Sequence, residues 1–154
     1  MYCSCAYCNE GFLNGIIETS NKLVRTMGTM KIELRASTLE IQGDILFQEC
    51  IKGIDHNIDD AIENVKAGIE LTKGVRHPTV VDARNLKSQS KEAREYYAGP
   101  ENGKLVLSVA LVIGNPFTRM FGNLFFKINK PPYPFQLFTS IDEAIKWSRK
   151  VNDA

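Results

Sequence analysis

The chain has 154 residues, of which 44% are hydrophobic, 24% charged and 9% aromatic, the balance of one soluble globular domain. Its 19 basic and 18 acidic residues leave a net charge of +1, which argues against a general nucleic-acid binder. No apolar run is long enough to span a bilayer, and the N-terminus lacks the basic start and apolar stretch of a signal peptide, so a cytoplasmic domain that is not transmembrane is expected.

Residues 1–29 read differently from the rest. Cys3, Cys5 and Cys8 form a C-x-C-x2-C string, which makes them candidates for a soft metal ion. Structural zinc normally takes four ligands in two spaced pairs, and here the fourth would have to come from Cys50, His56 or His77, far along the chain. A reduced tail without metal is the plainer reading, and no cofactor is expected. Phe12, Leu13, Ile16, Ile17 and Leu23 give residues 12–24 the loose spacing of a short amphipathic helix. Regular patterning starts after Met27 and Met30. Residues 1–29 are therefore set apart as an extension, flexible or arising from a misassigned start, and residues 30–154 as a single domain.

In that domain Leu39 and Ile41 alternate with polar residues, Gly43-Asp44 makes a turn, and Ile45-Leu46-Phe47 opens a second strand, together a β-hairpin. Cys50, in the same strand-like run, reads as a small buried hydrophobe. Asn57 caps a helix with Ile58, Ile62, Val65 and Ile69 on one stripe, ending at Lys73-Gly74. Residues 78–83 form a short buried strand, and Ser90 caps a second helix that Gly99-Pro100 stops. Residues 105–113 are almost wholly apolar, as in a central strand buried on both faces. Pro116 opens a third helix to about Ile128, Pro131, Pro132 and Pro134 lead into a strand over 135–139, and Ser140 with Glu143 forms a capping box for a last helix. Strands and helices that alternate after a hairpin predict a mixed α/β sheet covered by about four helices.

The sequence holds no phosphate-cradling glycine loop, no dinucleotide fingerprint and no serine nucleophile elbow. His56 and His77 read as surface loop residues, and the helix dipole accounts for Asp59-Asp60 in a first turn. No enzyme is expected. Charge is unevenly spread: residues 38–72 carry a net −6, whereas 102–141 contain no acid and carry +4 together with six of the eight phenylalanines. Such a cationic, aromatic segment suits an acidic partner, an anionic membrane surface or an amphiphile. Within the third helix Phe117, Met120, Phe121, Leu124 and Ile128 share a core stripe, while Phe126 projects about 180° from Phe117 beside Arg119, either as a contact residue or packed under a neighbour. The loop 82–90 ends at a helix N-terminus, which favours anions, so Ser90 is either a plain N-cap or a phosphorylation site.

This order of elements resembles the STAS-like (SpoIIAA-like) proteins, and most nearly small uncharacterised bacterial members of that group. The resemblance is carried by TVVDARNLKSQSKEAREYYAG (79–99), ALVIGNPFTRMFGNLFFKINKPPYPFQLFTSIDEAIKW (110–147) and the hairpin LEIQGDIL (39–46). It covers about residues 31–151 and implies the STAS/SpoIIAA-like fold. Antagonists of this fold carry a phosphorylatable serine in a motif like D-S-S-G. The matching positions here lie near Ser90, Lys91 and Glu92, without the serine–glycine signature. The expected function is a non-enzymatic interaction or regulatory module. It would meet a protein partner or a second copy through the 84–95 loop–helix (Arg84, Lys87, Ser88, Ser90, Arg94) and the 115–130 helix (Arg119, Phe126, Lys127, Lys130). The alternative, drawn from analogy with lipid-binding folds, is a binder of lipid or another amphiphile with the 116–128 helix as lid.

Overall fold

The Gly43-Asp44 turn sets the first strand register. Gly43 adopts φ +64, and glycine with positive φ in the first central position is the type II′ hairpin arrangement. The chain reverses there so that β3 (Ser37–Gln42) pairs antiparallel with β4 (Ile45–Cys50), Gln42 opposite Ile45. A computed structural model describes residues 22–26, 29–114 and 130–153. Ahead of the hairpin, β1 (Lys22–Thr26) and β2 (Thr29–Glu33) add two more antiparallel strands, with Lys22 opposite Glu33 and Ile32 opposite Leu39. The sheet therefore begins before position 30. Residues 22–24 are strand instead of the end of a helix over 12–24, because pairing with the open edge of β2 outweighs a loose local spacing. The remainder of that segment and Cys3, Cys5 and Cys8 lie outside the described residues.

Beyond β4 the sheet becomes parallel. In chain order come β5 (Asp55–His56), α1 (Ile58–Leu71), β6 (His77–Asp82), β7 (Ser88–Gln89), α2 (Lys91–Ala98), α3 (Pro100–Gly103), β8 (Val106–Val112), β9 (Phe135–Phe138) and α4 (Ile141–Asn152). The main sheet runs β1-β2-β3-β4-β6-β8-β9, with β4, β6, β8 and β9 mutually parallel, and β5 pairs with β7 in a two-stranded ledge. The two crossovers through α1 and α2 step in the same direction, and right-handed connections then place both helices on one face. The third helix expected over 116–128 lies outside the described residues. Among the described residues no helix is long and apolar enough to cross a membrane.

The period of two along each strand divides the core. Ile45, Val80, Ala110, Val112 and Phe138 face α4, where Ala144, Ile141, Ile145 and Trp147 pack on them. Leu39, Leu46, Val106 and Val109 face the other way, against Ala67 and Leu71 of α1. Each large side chain buried in this way contributes about 1.5–3 kcal/mol. Residues 105–113 are not buried throughout, because Leu107 is 36% exposed. The buried stripe of α1 is also rotated from the isoleucine stripe expected. It runs through Asp60, Ala61, Asn64, Val65, Ala67, Gly68 and Leu71, while Ile58, Ile62 and Ile69 are half-buried. Close approach explains the rotation, since a Cβ on Gly68 would lie 2.6 Å from Cδ2 of Leu105. Small residues let the helix sit low on the sheet.

The caps were only partly as expected. Asn57 Oδ1 accepts from the Asp60 N–H at 3.0 Å and Asp60 Oδ2 accepts from the Asn57 N–H at 2.9 Å, a complete capping box. Ser90 Oγ likewise accepts from the Ala93 N–H at 3.1 Å. Ser140 makes no side-chain cap bond. Its helix starts with Asp142 and Glu143 exposed, acids that suit the positive end of the helix dipole. Asp60 has a second task. Arg35, from the β2–β3 loop, donates to both of its carboxylate oxygens, through Nε at 2.8 Å and through Nη2. Burial works to raise the Asp60 carboxyl, yet the Arg35 guanidinium and the Asn57 N–H outweigh it and hold it below the usual carboxylate range.

Arg35→Ala is expected to cost about 2 kcal/mol in urea unfolding at pH 7, less than a fully buried pair because the guanidinium is half exposed. Asp60 has a depressed folded pKa. The wild-type advantage is therefore present above about pH 4 and lost as pH falls through that depressed value. Equal stabilities of wild type and variant at pH 7 would contradict this role for Asp60.

Candidate functional site

The β5–β7 ledge ties together the two loops that leave the carboxyl ends of β4 and β6. Gly53 N donates to Asn85 O at 3.1 Å, Lys87 N to Ile54 O at 3.3 Å, and Ser90 N to His56 O at 2.9 Å. The carboxyl ends of parallel strands are where open α/β sheets hold ligands. Behind the ledge, between the sheet and α1 and α2, lies a cavity of about 510 Å³. Its sheet wall is apolar, with Val81, Val109, Leu111, Ile113, Phe135 and Leu137, which the strand period sends to this face. Its helix and ledge side is polar, with His56, Asn64, Lys87, Ser88, Gln89, Arg94 and Tyr97, and Gln48 of β4 adds one polar side chain from the sheet.

The polar side is a connected network. Asn64 comes from the buried stripe of α1, Tyr97 from the turn of α2 after Ala93, and His56 from β5. Asn64 Nδ2 donates to Tyr97 Oη at 2.8 Å, Ser37 Oγ donates to Asn64 Oδ1 at 3.2 Å, and Tyr97 Oη lies 3.2 Å from His56 Nε2. A second group closes the far end, where Asn102 Nδ2 donates to Tyr133 Oη at 2.9 Å and Tyr133 Oη donates to the Tyr97 carbonyl. His56 is no surface residue. It is 2% exposed, because the ledge folds its backbone under α2. His77 opens β6 and sets Nδ1 3.2 Å from the Asp44 carbonyl, half-buried at the hairpin turn.

Burial keeps these groups uncharged at neutral pH. It pushes the Cys50 thiol up to about 12, helped by Asp82 and Glu49, and the Tyr133 phenol up to about 12 against the Asn102 bond. The Tyr97 phenol rises for the same reason. Burial lowers His56, and Arg35 adds to this while Asp60 opposes it. A thiol and phenols that hold their protons are poor nucleophiles and poor bases, so the arrangement is suited to donating and accepting hydrogen bonds. Among the described residues no cluster of three His, Cys, Asp or Glu side chains is placed to hold a metal ion.

The residues singled out from sequence do not come together in one place. Lys87, Ser88 and Arg94 line the cavity, and each has a protein partner: Lys87 Nζ and Ser88 Oγ on the Asp55 carboxylate, Arg94 on the Gln89 carbonyl. The Lys87 and Ser88 bonds hold the Asp55 carboxyl low. Arg84 lies apart and clasps Asp82 through Nε at 2.9 Å and Nη2 at 2.7 Å. Ser90 sits at the helix start as an N-cap, its hydroxyl accepting from the Ala93 N–H. Lys130 is exposed, and Arg119, Phe126 and Lys127 lie outside the described residues. Sequence reasoning missed Gln48, Asn64, Tyr97, Asn102 and Tyr133. Only Asn64 carried a signal, a polar residue inside an otherwise small and apolar helical stripe.

A mixed sheet with α1 and α2 on one face and α4 on the other is the architecture of the SpoIIAA-like fold. The chain superimposes on an uncharacterized protein of the DUF3478 family with that fold from Shewanella loihica PV-4, with a TM-score of 0.53 and 16% identity over 82% of this chain and 98% of that one. Residues 39–152 match DUF7793, a domain of unknown function, and the chain belongs to that family. No curated protein matches it.

Iodoacetamide at pH 8 is expected to leave Cys50 unmodified in the native protein and to alkylate it after unfolding in urea, as read by peptide mapping. Tyr97→Phe leaves the Asn64 donor without its phenol oxygen, and a loss of about 1–2 kcal/mol is expected in chemical unfolding.

Proposed function

We propose that this domain is a non-enzymatic cytosolic binding module that holds a small amphiphilic molecule in the cavity between the sheet and the α1–α2 layer. The observation that carries the reading is the cavity itself: about 510 Å³, with one apolar wall and one polar wall that includes Lys87 and Arg94. That volume lies within the range of small-molecule sites, roughly 300–1,000 Å³. The protonated thiol and phenols favour binding over turnover. A purely surface role for the 84–95 segment is the weaker reading, since Arg84 and Lys87 already satisfy Asp82 and Asp55. A partner protein that senses the filled cavity through the ledge is compatible with the same geometry.

The test is a fluorescence titration with anilinonaphthalene sulfonate, followed by displacement with 1-decanol. Saturable binding is expected, weakened about tenfold or more by Leu111→Trp, which fills the cavity from the sheet wall, while circular dichroism shows the fold retained. No saturable binding, or binding indifferent to Leu111→Trp, would count against the proposal.

A further inference from the structure

The face of β4 toward the cavity carries one polar side chain between apolar ones. Leu46, Gln48 and Cys50 share that face, as the strand period of two requires, and all three line the cavity. Across the sheet Gln48 stands between Leu39 of β3 and Val81 of β6, and neither side chain can hydrogen-bond to it. Gln48 is 7% exposed, yet among the described residues its carboxamide makes no hydrogen bond of ordinary geometry. Nor is it walled in. The partnerless polar atoms sealed off from solvent-sized space are His56 Nδ1 and Ser148 Oγ, and the amide oxygen and nitrogen of Gln48 are not sealed in this way. They therefore open into the cavity. A buried carboxamide is rarely left unpaired in a native domain, and one that opens into a cavity marks the place of a ligand's polar group.

The strand register sets an apolar track beside this amide. Gln48 pairs with Val81, Val81 with Leu111 and Leu111 with Leu137, so these residues form one row across β4, β6, β8 and β9. All of them line the cavity. Three strand spacings of about 4.8 Å make the row about 14 Å long, polar at the Gln48 end and apolar along the rest. The carboxamide itself narrows the head group, because it presents an N–H donor and a C=O acceptor side by side. Its complement carries an acceptor and a donor on neighbouring atoms, as a second amide does. A carboxylate would accept from the N–H but set its charge against the Gln48 oxygen. An ammonium would engage the oxygen alone and would face Lys87 and Arg94, the cations of the lining. A hydroxyl has a single atom with which to meet both groups.

We infer that the ligand is an apolar amide, its carboxamide paired edge to edge with that of Gln48 and its apolar part laid along Val81, Leu111 and Leu137. This rests on the cavity reading above and adds the identity of the head group. Calorimetric titration of the full chain with decanamide, 1-decanol and decanoate at pH 7 compares head groups on one chain length. Decanamide is expected to bind wild type about tenfold or more tightly than either of the others. Gln48→Met, close in shape but without the amide, is expected to abolish that preference and to leave 1-decanol binding in place. Equal or tighter binding of 1-decanol or decanoate to wild type, or a preference that survives Gln48→Met, overturns the amide inference and leaves the cavity reading standing. Binding of none of the three overturns both. Nitrogen-15 NMR of the Gln48 side-chain NH2 in wild type gives a readout independent of how Gln48→Met folds. A shift of that signal on saturation with decanamide, absent with 1-decanol at saturation, supports the inference, and an unmoved signal overturns it.

Discussion

The helical layer of this domain hangs on the Asp60 carboxylate. In one residue it closes the capping box that starts α1 and receives the Arg35 guanidinium from the β2–β3 loop. A buried carboxylate needs such partners, since removal from water would otherwise drive it to the neutral form. The bond from Arg35 therefore joins the antiparallel half of the sheet to the first helix. It also fixes the rotation of α1. With Asp60 pointing inward, Asn64 one turn later points inward as well, and His56 is placed just before the cap. The network around Tyr97 follows from that orientation.

The two faces of the sheet are finished differently. On the α4 side, Trp147, Ile141, Ile145 and Ala144 close over Ile45, Val80 and Phe138, and aromatic rings of Phe138 and Trp147 meet at 5.6 Å. On the other side α1 sits low where Ala67 and Gly68 meet Leu105, and covers β2, β3 and β4. Toward β6, β8 and β9 the same face turns its apolar side chains to the cavity. The rigid half of the molecule thus backs the half that offers space, and the ledge of β5 and β7 keeps the loops at its rim in fixed register.

What could be read from the sequence was local. The hairpin at Gly43-Asp44, the Asn57 and Ser90 caps and the strands over 78–83 and 135–139 depend on residues a few positions apart, and all are found. The failures share a cause, which is competition from distant parts of the chain. A strand edge recruited Lys22–Thr26, and close packing on Leu105 rotated α1 off its isoleucine stripe. The candidate site was the least legible part. Its polar members come from four separate elements, and nothing in the spacing of Gln48, His56, Asn64 and Tyr97 announces that they meet. Of the basic residues that drew attention in the 84–95 segment, Lys87 and Arg94 line the same cavity, bonded to Asp55 and the Gln89 carbonyl, and Arg84 stands apart on Asp82.

The Gly43-Asp44 turn has a consequence for how the molecule is assembled. The antiparallel strands close over a two-residue turn and short links, whereas the parallel pairings of β4 with β6 and of β6 with β8 must first enclose connections that carry helices. Closing a longer loop loses more chain entropy before any contact compensates for it. The hairpin is accordingly the cheapest surface on which the rest can gather. β4, antiparallel to β3 on one side and parallel to β6 on the other, is the template from which the slower half grows. By loop-closure cost alone, β6 and β8, which build much of the cavity wall, are dearer to add to the sheet than the hairpin.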